Sequence, residues 1–300
     1  LSGATQALER QIAGANDLQS VVRSMKALAA SSIGQYEKAV LSLEDYYRTV
    51  KLGLIACLRD EERLASLAVE DKSSNTQGVG AILFGSDQGL VGNFNDVVVD
   101  FFSTTVKTLP HKVAKVWAVG ERVQGIVQQA ASTAVDMLTV PTGIEAITPL
   151  VSQILIDVEN ARERGEIWEI YVFHNRPKSG SLYEPVCKRL LPLDKAWEAS
   201  LLSMTWPTRV LPEVLGGTAS ALPAFIRGYL FVVLFQACAE SLASENASRL
   251  AAMQRAEKNI EDILGQMKQT LHRIRQETID EELFDVISGF EALNASGKRS

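Results

Sequence analysis

The chain has 300 residues, 46% of them apolar and 22% charged, with a formal net charge of −6. That length can bury one or two sizeable cores, and the acidic balance excludes a nucleic-acid binder, which would need a basic face. Cys57, Cys187 and Cys238 lie far apart and odd in number, and His111, His174 and His272 have no metal-ligand spacing, so neither a disulfide framework nor a zinc site is expected.

All nine prolines fall between Pro110 and Pro223. Proline costs about 3 kcal/mol inside a helix, so the two proline-free ends permit long helices. The opening segment carries acids and a helical period, unlike a leader peptide. From Leu8 through Ile12, Ala15, Val22, Met25 and Ala29 to Val50, Leu54 and Cys57, apolar residues recur at steps of three and four or their sums. This predicts one N-terminal helix over residues 1–65. The run "RDEER" (59–63) reads as its solvated end.

The middle, residues 75–200, alternates between strand and helix patterns. "VGAILFG" (79–85), "KVWAVG" (115–120) and "EIWEIYVFHN" (166–175) read as strands. Helical stretches fall near 93–108, 120–131 and 143–164. "NRPKSGS" (175–181) is a turn into "LYEPVCKRLLPL" (182–193), a predicted antiparallel edge strand. The pattern predicts a Rossmann-like α/β domain with a mostly parallel sheet.

The C-terminal segment, 218–293, repeats the helical signature. Ser220 is placed as its cap and Pro223 in its first turn. "YLFVVLFQACA" (229–239) is about half a membrane span and reads as a helix buried on all sides. Met253, Ala256, Ile260, Ile263, Met267, Leu271 and Ile274 form a seam, which Leu283, Val286 and Phe290 resume. Two helices of this length, with none to match them in the middle, predict a long antiparallel coiled coil of the chain's two ends. Residues 294–300 form a polar tail.

The glycine-rich stretch "GSDQGLVGNFN" (85–95) raises the question of a phosphate site. A P-loop needs Lys-Ser/Thr after its last glycine, and Asn93-Phe94 stand there instead. Asp87 occupies the first-glycine place of a dinucleotide fingerprint and would repel an anion. Gly85, Asp87, Gly89 and Gly92 therefore read as a structural turn between strand and helix, with Gly89 expected to carry backbone strain. No catalytic constellation emerges, and no cofactor is expected. In "HRIRQE" (272–277) polar groups interrupt the seam for more than one turn. They are either an exposed helix face or a helix gripped by partners on several sides.

Several blocks resemble one family. "SENASRLAAMQRAEKNIEDIL" (244–264) and "RIRQETIDEELFDVISGFEAL" (273–293) look like the C-terminal helix of the gamma subunit of F-type rotary ATP synthases. "VVRSMKALAA" (21–30) is similar to that subunit's N-terminal helix, "GSDQGLVGNFN" to its turn, and "KRLLPL" to its edge strand. The resemblance covers nearly the whole chain in order. Gln88, Val91, Asp280, Ser31-Ser32 and Trp206 depart from the usual pattern, which suggests a divergent bacterial type.

The resemblance implies a central rotor stalk that couples ion flow through the c-ring to ATP synthesis or hydrolysis. The implied partners are the alpha and beta subunits, the epsilon subunit and the c-ring. The implied location is peripheral, on the cytoplasmic side of the bacterial inner membrane. The chain itself would carry no catalytic residue, and the complex would be an ion-transporting rotary ATPase. Residue by residue, Arg275 and Gln276 match the family's Arg-Gln contact with beta, and Glu282 its nearby acidic contact. Asp280 replaces a hydroxyl residue. Met25, with Lys26 next to it, matches the N-terminal position opposite these residues. The alternatives are a coiled-coil scaffold with a ligand-binding α/β head, and an enzyme using the Gly85–Gly92 turn.

Overall fold

The computed structural model describes residues 2–59, 78–130, 133–179, 181–193, 195–208, 210, 214 and 217–297. Most of the "RDEER" run, and residues 298–300 of the tail, lie outside these residues. In chain order the elements are α1 (Ser2–Ser42), α2 (Glu44–Leu58), β1 (Val79–Phe84), α3 (Phe94–Val106), β2 (Val113–Val119), α4 (Glu121–Ala130) and β3 (Ala134–Leu138). They continue with α5 (Ile147–Glu163), β4 (Glu169–Lys178), β5 (Ser181–Leu191), α6 (Lys195–Leu202) and α7 (Thr218–Gly297). The chain divides into two compact units, residues 1–28 with 250–300, and residues 29–249.

The larger unit is built on a five-stranded sheet of order β3-β2-β1-β4-β5. All neighbours are parallel except β4 and β5, which pair antiparallel at the edge. Two-residue periodicity sorts the strand side chains onto two faces. Ala81, Leu83, Val116, Ala118, Tyr171 and Phe173 point into a core completed by Val98, Val99 and Phe102 of α3 and by Val123 and Val127 of α4. Ile82, Phe84, Trp117, Val119, Ile170 and Val172 face a second, larger core formed by α5, α2 and the first half of α7. Because both sheet faces are covered, β1 is buried at every position and reads as a continuous apolar run.

The core half of α7 is covered nearly all round: Tyr229, Val232, Val233, Leu234, Ala237, Cys238 and Ala239 are all buried. By length and composition this helix contains a stretch apolar enough to cross a membrane, longer than the sequence reading allowed. From Tyr229 onward this stretch packs into the protein's own core. The three cysteines are free thiols.

In the smaller unit α1 and α7 run antiparallel. Lys26 pairs with Glu257, Gln19 with Glu261 and Glu9 with Arg275, so contact positions descend on α1 as they rise on α7. The covered positions on α1 are Thr5, Leu8, Ile12, Ala15, Gln19, Val22 and Met25-Lys26. Those on α7 are Met253, Ala256-Glu257, Ile260, Leu264, Met267, Thr270-Leu271, Ile274 and Thr278. Steps of three and four alternate on both helices. That is the 3.5-residue repeat of a left-handed coiled coil.

The structure departs from the sequence reading at several points. The N-terminal helix is interrupted at Leu43, where a turn separates α1 from α2. On α7, Leu264 holds the buried seam position while Ile263 is exposed. The seam does not resume at Leu283 and Val286, which are 56% and 70% exposed. Helix α7 begins at Thr218, after Gly217 at φ +84°, so Ser220 is not its cap and Pro223 lies inside it. Strand β3 and helix α6 carried no sequence signal: β3 is an edge strand with mostly exposed side chains, so it lacks the alternation that marks a half-buried strand.

Candidate functional site

Two regions carry the candidate residues. The first is the turn between β1 and α3. Asp87 binds two backbone amides: its Oδ1 accepts from Glu121 N at 3.0 Å, and its Oδ2 accepts from Val140 N at 3.0 Å. The first bond satisfies an otherwise unpartnered amide in the opening turn of α4. The second ties down the segment after β3. Ser86, fully buried, donates its amide to Asn95 Oδ1 at 3.0 Å and its hydroxyl to Gln88 O at 2.9 Å, while Asn95 Nδ2 donates to Ser86 Oγ at 2.8 Å. The Ser86, Asp87 and Asn95 side chains of this turn are thus engaged with the chain itself.

The glycines of this turn differ from one another. A Cβ on Gly85 would sit 2.4 Å from Val123 Cβ, so this position excludes any side chain. Gly92 has φ +60°, a conformation disfavoured for residues with a Cβ. Gly89, expected to be strained, has neither constraint: the nearest atom to its added Cβ is Arg122 Nη2 at 3.9 Å. The strain sits next door, at Leu90, with φ +63° and a side chain 61% exposed. Gly120 was overlooked: at φ +121° it passes against the Ser86 backbone, where a Cβ would approach within 2.7 Å.

Helix α7 is fastened to this turn by its small polar residues. Ser248 donates to Val91 O at 2.5 Å, and Ser244 donates to Asn175 O at 3.1 Å; Asn175 in turn donates to Phe94 O at 2.9 Å. Ser244 and Ser248, one helical turn apart in a buried stretch, were the available sequence signal for this contact. Beside them Arg249 pairs with Glu245 at 2.5 Å, both side chains largely covered, and burial raises the Glu245 pKa against the opposing pull of Arg249.

The second region lies on the paired helices. Met25 and Lys26 are half-buried on the α1 seam, and the Lys26 ammonium is bound to Glu257 of the same chain. Arg275 Nη2 pairs with Glu9 at 2.6 Å, with side chains 54% and 45% exposed. Met25 is therefore level with the neighbourhood of Glu257 and does not oppose Arg275 or Glu282. Glu257 and Arg275 are eighteen residues apart on α7, about 27 Å at 1.5 Å per residue. The structure divides the sequence-predicted set into two levels of the coil.

Gln276, Asp280 and Glu282 are all exposed. Helical geometry puts Arg275 and Glu282, seven residues apart, on one flank of the seam, and Gln276 and Asp280 on the side away from α1. Beyond Thr278 the apolar stripe of α7 also changes face. Ile279, Leu283, Phe284, Val286 and Ile287 are 45–70% exposed and turned away from the seam. Among the described residues no group of three or more His, Cys, Asp or Glu could hold a metal ion.

These features find parallels among known proteins. A family model described as ATP synthase matches residues 4–293. The ATP synthase gamma chain of Polynucleobacter asymbioticus is 23% identical, across 96% of this chain and 99% of its own length. That of Arthrobacter sp. is 27% identical, across 96% and 97%. A solved chain of the Euglena gracilis mitochondrial ATP synthase (OSCP/F1/c-ring, rotational state 3) shares the fold with a TM-score of 0.64 at 15% identity, covering 99% of this chain and 97% of that one. A second fold match, TM-score 0.52 at 16% identity over 79% of this chain and 99% of that one, is from the Tetrahymena thermophila mitochondrial ATP synthase central stalk and c-ring. With a family match running almost from end to end, the chain belongs to the ATP synthase family, among its gamma chains.

Proposed function

We propose that this chain is the rotor shaft that couples ion flow through a membrane c-ring to ATP synthesis or hydrolysis in an alpha/beta hexamer. The observation that carries the reading is the change of face on α7. Past Thr278 a stripe of large apolar side chains turns outward, in a helix whose preceding seam is satisfied by α1. Such a stripe calls for apolar surroundings supplied by other chains. Arg275 and Gln276 stand at the start of this stretch, where a fork-shaped guanidinium can take up beta carboxylates.

In this reading residues 1–65 and 218–293 serve as the shaft, and residues 75–200 as the head that meets the epsilon subunit and the c-ring. The complex lies on the cytoplasmic face of a bacterial inner membrane. Coupling is mechanical: each rotor angle makes different contacts with the beta conformations and so shifts their populations. The chain needs no group that touches ATP. Affinity isolation of the tagged chain from its native membranes, with ATPase assayed against pH and Na⁺, tests the reading. The expected result is copurification with alpha and beta subunits and ATPase activity; a chain isolated without them, yet binding a nucleotide at Gly85–Gly92, would overturn it.

A further inference from the structure

Between the antiparallel strands β4 and β5 and the core half of α7, the larger unit holds a cavity of about 290 Å³. The register pairs Val172 with Lys188, His174 with Val186 and Arg176 with Glu184, so two-residue periodicity turns all six onto the face that α7 covers. Val172, Val186 and Val233 supply apolar walls, and the polar lining is His174, Arg176, Lys188, Gln236 and Glu240.

Glu240 is already satisfied. One carboxylate oxygen accepts from Gln236 Nε2 at 2.7 Å, and the other meets His174 Nε2 at 2.8 Å. Burial opposes its charge, but these bonds outweigh burial and hold its pKa below the ordinary carboxylate range. An ionised carboxylate only accepts, so His174 carries a proton on Nε2. The second ring nitrogen, Nδ1, is buried and has no hydrogen-bond partner among the described residues, in a side chain 8% exposed. Such an atom costs free energy until something completes it.

The cations of the lining are less well matched. Arg176 donates Nη2 to Glu184 at 2.5 Å, but Glu184 is shared with Lys178 at 2.6 Å. Lys188 forms no ion pair among the described residues, and its ammonium lies 5.6 Å from the centre of the Tyr229 ring. Partial desolvation and the charge of Lys51 hold its pKa below the ordinary value, against a weaker opposing pull from Glu240. Arg176 and Lys188 face the single acid Glu240, so the lining keeps an excess of positive charge.

We propose that this cavity binds a small oxyanion, a phosphate or a carboxylate, held by Lys188, by Arg176 and by an N–H at His174 Nδ1. Lysine supplies a point charge and arginine a planar fork, and both suit such anions. A neutral imidazole with its proton on Nε2 has only a lone pair at Nδ1. The anion therefore brings in a proton from solvent, which goes to Nδ1 and leaves His174 an imidazolium between Glu240 and the ligand. The charges facing it are Glu240 from α7, Arg176 from β4, and Lys188 and Glu184 from β5, with Lys51 of α2 beyond Lys188. The site lies wholly in the larger unit and does not depend on the rotor reading.

The test is calorimetric titration of the full chain with inorganic phosphate, with acetate, and with chloride at matched ionic strength. Phosphate or acetate should saturate a single site where chloride does not. Saturation by phosphate alone assigns a phosphate ligand, by acetate alone a carboxylate, and by both a site for either; each supports the proposal. No saturation by either, up to tens of millimolar, overturns it. Lys188→Gln, at an exposed position, should lower the affinity about ten-fold or more. Arg227→Gln, which removes an exposed guanidinium paired with Glu159, should leave it unchanged. Equal losses in the two variants, or none in Lys188→Gln, would place the anion elsewhere and overturn the site. In the chain labelled with ¹⁵N-histidine, the ring nitrogens of His174 are assigned by elimination with His111→Gln and His272→Gln. They should pass to the doubly protonated pattern on saturation at constant pH. Saturable binding in which His174 gains no proton also overturns the proposal.

Discussion

Replacing Arg275 and Gln276 together by alanine separates a folding role from a partner role. In the free chain Arg275 pairs with Glu9, and both side chains are about half exposed. Exposed pairs contribute about 0.2–1 kcal/mol, so the variant should fold with a nearly unchanged melting curve. Against a beta carboxylate in a partly desolvated sleeve, a charge-assisted hydrogen bond contributes about 1.5–3 kcal/mol. Part of that is offset by releasing Glu9, leaving a net of about 1–2 kcal/mol, which changes the ratio of two rotor-angle populations by roughly 5- to 30-fold. Single-molecule stall torque and ion-driven synthesis in proteoliposomes should both fall, in complexes that assemble normally. Glu9→Gln should do the reverse, freeing the guanidinium and leaving synthesis equal or improved. Unchanged torque and coupling in the double variant would make Arg275 and Gln276 an exposed helix face and refute the reasoning.

The turn glycines give a graded series in chemical denaturation: Gly85→Ala should cost about 1–3 kcal/mol by overpacking, while Gly89→Ala should stay within about 0.5 kcal/mol. Equal effects at the two positions would refute the steric assignment. The Glu257 carboxylate is held below its ordinary value by hydrogen bonds from Lys26 and Arg23. A lowered folded-state pKa contributes stability above the ordinary carboxylate range and loses it as pH falls through the lowered value. Helix pairing should therefore weaken in acid, below 4.5, and hydrogen exchange of α1 amides across a pH series should show it; in Glu257→Gln that acid step should shrink.

How much of this was legible in the sequence depended on how each residue's burden was written. The parallel strands were plain because both sheet faces are covered, which leaves Val79–Phe84 an unbroken apolar run. The helical ends were plain because proline is absent and the stripe is long. What stayed hidden was whatever depended on contact across distant segments. Strand β3 shows no alternation, since it has a single neighbour and an open side. The break at Leu43 carries no proline or glycine to announce it. Gly89 and Gly120 look alike as letters, yet only Gly120 runs against another backbone.

For the candidate site the sequence proposes a set of residues and no geometry. Family resemblance selects Met25, Lys26, Arg275, Gln276, Asp280 and Glu282, but a helix 80 residues long holds them at fixed heights that only the pairing register reveals. That register comes from contacts such as Lys26 with Glu257 and Glu9 with Arg275, between residues more than 200 positions apart in sequence. The acid partners Glu9 and Glu257 look in sequence like any solvated charge on a helix. Lys26 shows the consequence: it reads as a residue free for a partner subunit, and its ammonium is already bound within the chain. Arg275, equally bound but half exposed, can exchange Glu9 for another carboxylate at small cost. The same sequence signal, a basic residue near the edge of an apolar seam, thus covers a largely buried ion pair and a half-exposed one. Burial of the opposing carboxylate, 15% exposed at Glu257 and 45% at Glu9, separates the two.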